Sequence, residues 1–164
     1  MTKAFVGRQP IFQSNLDVFG YELLFRSGEK SFADIGDGDV ATAQVLVSSF
    51  ADIGLDTLVG PKRAFVNLTR NLLVDGNLSC LPPDRLVLEI LEDIPVDDDT
   101  IAAIAELREQ GFTIALDDFV FSKDVAPLIE LADIVKVEYP AIEPDELATH
   151  VNEIRSRGDA RLLA

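Results

Sequence analysis

The sequence predicts an α/β fold, a mostly parallel sheet covered by helices. Three observations carry that prediction. Apolar runs of strand length recur at 63–69, 85–91, 112–118 and 133–138. Segments with helical periodicity or helix-end signals separate several of them. The links between runs and helices are short. Parallel strands require crossovers of this kind, and the crossover is usually a helix. Six strands can be counted, with a seventh beginning at 161–164. A complete (β/α)₈ barrel needs about 250 residues, and this chain has 164. The pattern therefore fits either an open α/β sheet or a barrel missing its last quarter. No internal repeat, low-complexity tract or linker divides the chain, which has the size of one domain.

The elements follow in order. Residues 4–12 read as a strand interrupted by Pro10. Gln13-Ser14-Asn15-Leu16-Asp17 is a turn cluster. Val18 to Phe25 is the next strand, and so short a connection makes the pair an antiparallel hairpin. Gly28 to Gly38 is a polar loop. Asp39 is placed to cap a helix over Val40 to Ile53, with Gly54 as its stop. The strand at 63–69 leads into a short helical segment ending near Asp75. Pro82-Pro83 mark a loop before the strand at 85–91. Asp97-Asp98-Asp99 open a helix over Thr100–Gln110, because acids suit the positive end of a helix dipole. Gly111 ends it. The strand at 112–118 runs into Asp117-Asp118. A short helix over Asp124–Leu131 tolerates Pro127 only in its first turn. The strand at 133–138 precedes an amphipathic helix over Glu143–Arg157, stopped by Gly158.

Composition narrows the function. The chain is 48% apolar and 26% charged, a globular balance. Its net charge of −15 makes it a poor general nucleic-acid binder, since backbone binding relies on Lys and Arg. No apolar run is long enough to span a bilayer. Met1–Arg8 carry no apolar signal core. The lone Cys80 fits a reducing cytoplasm, and the single His150 argues against a His-rich zinc site.

Polar groups interrupt the apolar strands in a consistent way. Along Gly20-Tyr21-Glu22-Leu23-Leu24-Phe25-Arg26, side chains at even separations share a face, so Glu22, Leu24 and Arg26 point one way. An acid and an arginine on an apolar strand are costly unless paired or engaged with a metal or ligand. A buried Glu–Arg pair would explain this strand alone. Asn67, Glu89, Asp117 and Lys136, however, fall near the C-terminal halves of four successive parallel strands, where α/β sheets build their sites. Carboxylates and an amide oxygen without Cys or His form a donor set for Mg²⁺ or Mn²⁺. Asp117 and Asp118 cannot both point inward from a regular strand, but a turn at the strand end would let both reach metal ions. Structural alternatives exist for each residue, notably a Glu89–Lys136 ion pair. A shared polar site explains all of them together. Glu92, Asp93 and Asp97 to Asp99 read as solvated acids.

Glu22-Leu23-Leu24-x-Arg26 resembles the signature of EAL domains, the cyclic di-GMP phosphodiesterases of bacterial signalling, with Leu23 where that family has Ala. Further segments match in order. Gln9-Pro10-Ile11 resembles the opening Gln-Pro-Ile, and Phe65-Val66-Asn67-Leu68-Thr69 the Val-Asn-Leu-Ser segment. Leu88-Glu89-Ile90-Leu91-Glu92 resembles Leu-Glu-Ile-Thr-Glu. Ala115-Leu116-Asp117-Asp118-Phe119 resembles the Asp-Asp-Phe-Gly segment, and Val135-Lys136-Val137-Glu138 the Leu-Lys-Ile-Asp segment. The forms around Gln9 and Glu22 look most like the divergent EAL domains that precede an HDOD domain.

The resemblance implies a TIM-like (β/α) barrel with one antiparallel strand, incomplete, with about six of eight strands present. It implies that Glu22, Asn67, Glu89 and Asp117 bind a first Mg²⁺ or Mn²⁺ ion and that Asp118 serves a second. Lys136 would orient the attacking water or a carboxylate, and Gln9 and Arg26 would contact cyclic di-GMP. Departures from the family pattern point away from catalysis. Val120-Phe121-Ser122-Lys123-Asp124 replaces a glycine-bearing loop, and Glu138 stands where the family has Asp. Positions for a later glutamate and a glutamine of the family do not occur within these 164 residues. The sequence is thus read as a single EAL-like domain over 1–164, lacking its last strands. It is a fragment, or a truncated form that needs a partner surface. The expected function is a degenerate, cytoplasmic signalling module that acts through protein contacts, with an HDOD domain or another signalling protein as partner; binding of Mg²⁺ and of cyclic di-GMP, or of neither, stays open. A homo-oligomer stays open. The alternative is an active phosphodiesterase once the missing part is present.

Overall fold

The computed structural model describes residues 4–27, 30–31, 54–76, 78–120, 122 and 124–163. The strands are β1 (Ala4–Phe12), β2 (Val18–Ser27), β3 (Lys30–Ser31), β4 (Arg63–Leu68), β5 (Leu86–Ile90), β6 (Thr113–Phe119), β7 (Ile134–Val137) and β8 (Arg161–Leu163). The helices are α1 (Leu55–Val59), α2 (Arg70–Asp75), α3 (Asp98–Glu109), α4 (Ala126–Leu131) and α5 (Leu147–Arg155). One sheet runs β1-β2-β4-β5-β6-β7-β8, with β3 beside β2. The β1–β2 hairpin is antiparallel and every later neighbour along that path is parallel. This is the curled sheet of an incomplete TIM-like barrel.

The predicted alternation holds, with instructive shifts. The helix expected over 40–53 lies outside the described residues. α1 and β3 are too short to leave a periodic signal. α5 begins at Leu147 rather than Glu143, because the Glu143 carbonyl closes a turn onto the amides of Glu146 and Leu147. Asp97 caps α3, its carboxylate accepting from the Thr100 amide at 2.8 Å, so the helix starts where the acidic run lies. Gly111 follows α3 with φ 92°, a left-handed conformation that glycine adopts without steric cost. Pro127 sits in the first turn of α4, where its missing N–H costs nothing.

Strand alternation divides the core in two. Leu86, Leu88 and Ile90, with Ile114 and Leu116, face the helices and join Ile104, Leu107 and Ile129 in the outer core. Phe65, Val87, Ala115 and Ile134 face inward as a separate apolar layer, with Ile11, Phe19 and Leu163 packed against it. Full burial of such a side chain stabilises the fold by about 1.5–3 kcal/mol. Gly20 lies against this layer. A Cβ there would sit 2.7 Å from the Phe65 ring, so only glycine fits. Two residues further along each inward-facing strand stand Asn67, Glu89, Asp117 and Lys136. The period of two therefore sets a polar layer directly above an apolar floor. No helix among the described residues is long and apolar enough to cross a membrane.

Candidate metal and ligand site

The polar layer is held in register by the ladders. Asn67 lies opposite Glu89, and Glu22 lies opposite both Phe65 and Gln9. Glu89 is completely buried and Asp117 nearly so, while Glu22 and Asn67 are half-buried. One ligand oxygen from each of Glu22, Glu89 and Asp117 lies within 4.8 Å of the others. Three carboxylates from three strands thus converge on one point inside the sheet's curl.

Lys136 sits among them. Its Nζ donates to Glu89 Oε1 at 2.8 Å and to Glu22 Oε2 at 3.2 Å, and it pairs with Asp117. Asn67 Nδ2 donates to Glu22 Oε1 at 3.4 Å. The Glu89–Lys136 ion pair weighed against a site is therefore real, but it is one edge of a larger cluster. Glu22 meets Asn67 and Lys136. Arg26 lies on β2 opposite Phe5 and Ser31, and its side chain is outside the described part of the structure.

Electrostatics follow from burial. Desolvation is the largest influence on Glu89 and, with Asp117 nearby, outweighs the attraction of Lys136, lifting its pKa to about 8. Burial opposes the charge of Lys136, but Glu89 and Asp117 more than compensate and hold it above the usual lysine range. Three acids around one ammonium leave an excess of negative charge. Two buried oxygens there, Asn67 Oδ1 and Glu89 Oε2, have no hydrogen-bond partner among the described residues. Buried acceptors without donors cost about 1–3 kcal/mol each, and a hard cation satisfies acceptors of this type. The residues present thus fit a divalent ion bound by oxygen.

Asp118 separates from Asp117, as a regular strand requires. The β6–β7 register slips between Leu116 and Phe119. Asp117 follows Ala115 inward by the period of two, and at the bulge Asp118 is left exposed with φ 45°. Asp118 lines a slot of about 210 Å³ with Glu92 and Glu138, floored by Ile90, Leu116 and Phe119. It also borders a cleft of about 460 Å³ that contains Gln9, Glu22, Asp117 and Lys136. Gln9 reaches the site by this cleft. Sequence reasoning missed the Arg70–Asp97 ion pair at 2.7 Å, which joins the start of α2 to the cap of α3 beside the β4 end. Asp97, expected to be a solvated acid, is held near pKa 2 by its hydrogen bonds to Thr100 and Arg70.

Comparisons with known proteins agree with this architecture. No family model matches the chain. It is 35% identical over 162 residues to the cyclic di-GMP phosphodiesterase CdgJ of Vibrio cholerae, covering 98% of this chain and 38% of that protein. It is 39% identical over 142 residues to the uncharacterised protein YuxH of Bacillus subtilis, covering 84% of this chain and 35% of that one. Its fold matches the Bacillus subtilis YkuI protein, which has an EAL domain and was solved with cyclic di-GMP and calcium. That match has a TM-score of 0.75 at 23% identity, over 97% of this chain and 47% of that one. The class is a cyclic di-GMP phosphodiesterase-like domain of TIM-barrel type. The chain belongs to the EAL domains, and it spans little more than a third of the length of the curated relatives it matches.

Proposed function

We infer that this chain is a signalling EAL domain that binds a divalent cation, Mg²⁺ or Mn²⁺, and cyclic di-GMP. One observation carries the reading. Carboxylates from β2, β5 and β6 converge within 4.8 Å above an apolar floor. Glu22, Asn67, Glu89 and Asp117 would hold the ion, with Asp118 serving a second. When bound, such an ion supplies Lewis acidity toward a phosphodiester. Lys136 would orient a water molecule or a carboxylate beside the ion. Gln9 and Arg26 contact the dinucleotide from β1 and β2. The apolar layer below excludes solvent and strengthens each charge interaction above it.

As a 164-residue chain, the domain is proposed to be non-catalytic and to act through protein contacts in the cytoplasm, with an HDOD domain or another signalling protein as partner. The altered loop at Val120–Asp124 and the outward turn of Asp118 support this reading. The second reading is an active phosphodiesterase. The kept acids and the named activity of the Vibrio cholerae relative favour it.

Calorimetric titration with cyclic di-GMP, first with Mg²⁺ and then with EDTA, tests the proposal. Metal-dependent binding without turnover is expected. Absence of binding in both conditions would overturn ligand recognition and leave a protein-contact scaffold. Hydrolysis at ordinary enzyme rates would overturn the non-catalytic reading.

A further inference from the structure

The sheet curls far enough for strands distant in its order to meet across the interior, and they do so at two levels. At the polar layer, Lys136 on β7 reaches Glu22 on β2. Lower down, Arg161 on β8 reaches Phe19 on β2. Its guanidinium carbon lies 4.8 Å from the ring centre. Phe19 in turn packs edge-on against Phe65, with centroids 6.0 Å apart at 61°. Phe65 belongs to the apolar floor of the site and is fully buried. Arg161 is exposed, and it stands opposite Ile134, two residues before Lys136 on the neighbouring strand. Among the described residues, no carboxylate pairs with its guanidinium. Its assigned partner is the aromatic face.

We propose that Arg161 is a positioning residue, a clasp that sets the curl of the sheet and thereby the reach of Lys136 to Glu22. The argument is geometric. Among the described residues, β2 and β8 share no ladder and are joined through the sheet only by way of β4 to β7. Side chains crossing the interior link them directly. The Arg161–Phe19 contact lies one layer below the Lys136–Glu22 bond and joins the same two sides of the curl. Phe65 then ties Phe19 to β4, the strand that carries Asn67. Loss of the clasp lets β7 and β8 drift from β2, and the carboxylate of Glu22 leaves the cluster first.

The metal arm of the test rests on the reading of the cluster as a cation site, and a second arm does not. Mn²⁺ affinity is measured by calorimetry for the full chain and for Arg161→Met, Arg161→Lys and Phe19→Leu, with the melting temperature of each. Arg161→Met and Phe19→Leu should weaken Mn²⁺ binding by about two- to five-fold, the range that a cation over an exposed ring supplies. Arg161→Lys should restore most of the loss. A purely structural arginine would lower the melting temperature and leave affinity untouched, and that result would overturn the proposal. In the second arm, hydrogen exchange of the Lys136 ammonium is followed by nitrogen-15 resonance in EDTA. Exchange should quicken in Arg161→Met, and unchanged exchange would overturn the proposal without reference to metal. If the unaltered chain binds no Mn²⁺, the cation reading fails, and the ammonium measurement still decides the clasp.

Discussion

Glu89→Gln separates the chemistry of the cluster from its packing. Glu89 is fully buried with a pKa near 8 in the fold, against 4.5 as its ordinary value. Between those values the unfolded chain binds fewer protons than the folded one, so stability falls as pH rises. The gap of about 3.5 units corresponds to about 5 kcal/mol across the whole window and about 3 kcal/mol by pH 7. Glutamine cannot ionise, so the variant lacks this slope. In EDTA it should match the parent near pH 4.5 and exceed it by about 3 kcal/mol at pH 7 and about 4 kcal/mol at pH 8. Metal binding demands the ionised carboxylate, so the parent's Mn²⁺ affinity should climb with pH up to about 8, and the variant should lose it. Urea denaturation followed by circular dichroism from pH 4.5 to 9 measures the first effect, and calorimetry the second. The reasoning is refuted if the variant is less stable than the parent by about 3–5 kcal/mol at neutral pH. That outcome marks a buried pair whose attraction outweighs its crowding.

Other consequences follow from the same geometry. Lys136→Met leaves Glu22, Glu89 and Asp117 without their shared cation. It should cost about 3–5 kcal/mol in EDTA, with part of the loss recovered on adding Mn²⁺; an unchanged melting temperature would contradict this. Asp97, with its depressed pKa near 2, contributes stability that is complete above about pH 4 and lost as pH falls toward 2. Asp97→Ala should therefore flatten the acid limb of the thermal-stability profile over that range. Gly20→Ala drives a methyl group to 2.7 Å from the immobile Phe65 ring and should destabilise by about 1–3 kcal/mol, read by urea denaturation.

Much of the site was legible because strand periodicity is rigid. Once Phe65, Val87, Ala115 and Ile134 face one way, Asn67, Glu89, Asp117 and Lys136 must stand above them. The hairpin was legible from its turn cluster, and the parallel order from strand–helix alternation. What escaped depends on tertiary contact. The meeting of Lys136 with Glu22 joins residues 114 positions apart in sequence and depends on how tightly the sheet curls. The bulge at Asp117-Asp118 was foreseeable only as a conflict, since two adjacent acids could not both face inward. The Arg70–Asp97 pair joins two helix starts that local reading treats separately. Helix α1 and strand β3 are too short for any period to be counted.

Pro10 gives the β1 border of the sheet a particular character. β1 lies at one end of the strand order and β8 at the other. Pro10 sits within β1, paired with Tyr21 across the hairpin. A proline has no N–H to offer, and in a sheet it is accommodated where its nitrogen faces away from the ladder. The outer side of β1 therefore lacks a donor in mid-strand, and a visiting strand would find its ladder broken there. A strand approaching on that side would leave one of its own carbonyls without a donor at Pro10, so the proline guards this side of the hairpin against accidental pairing.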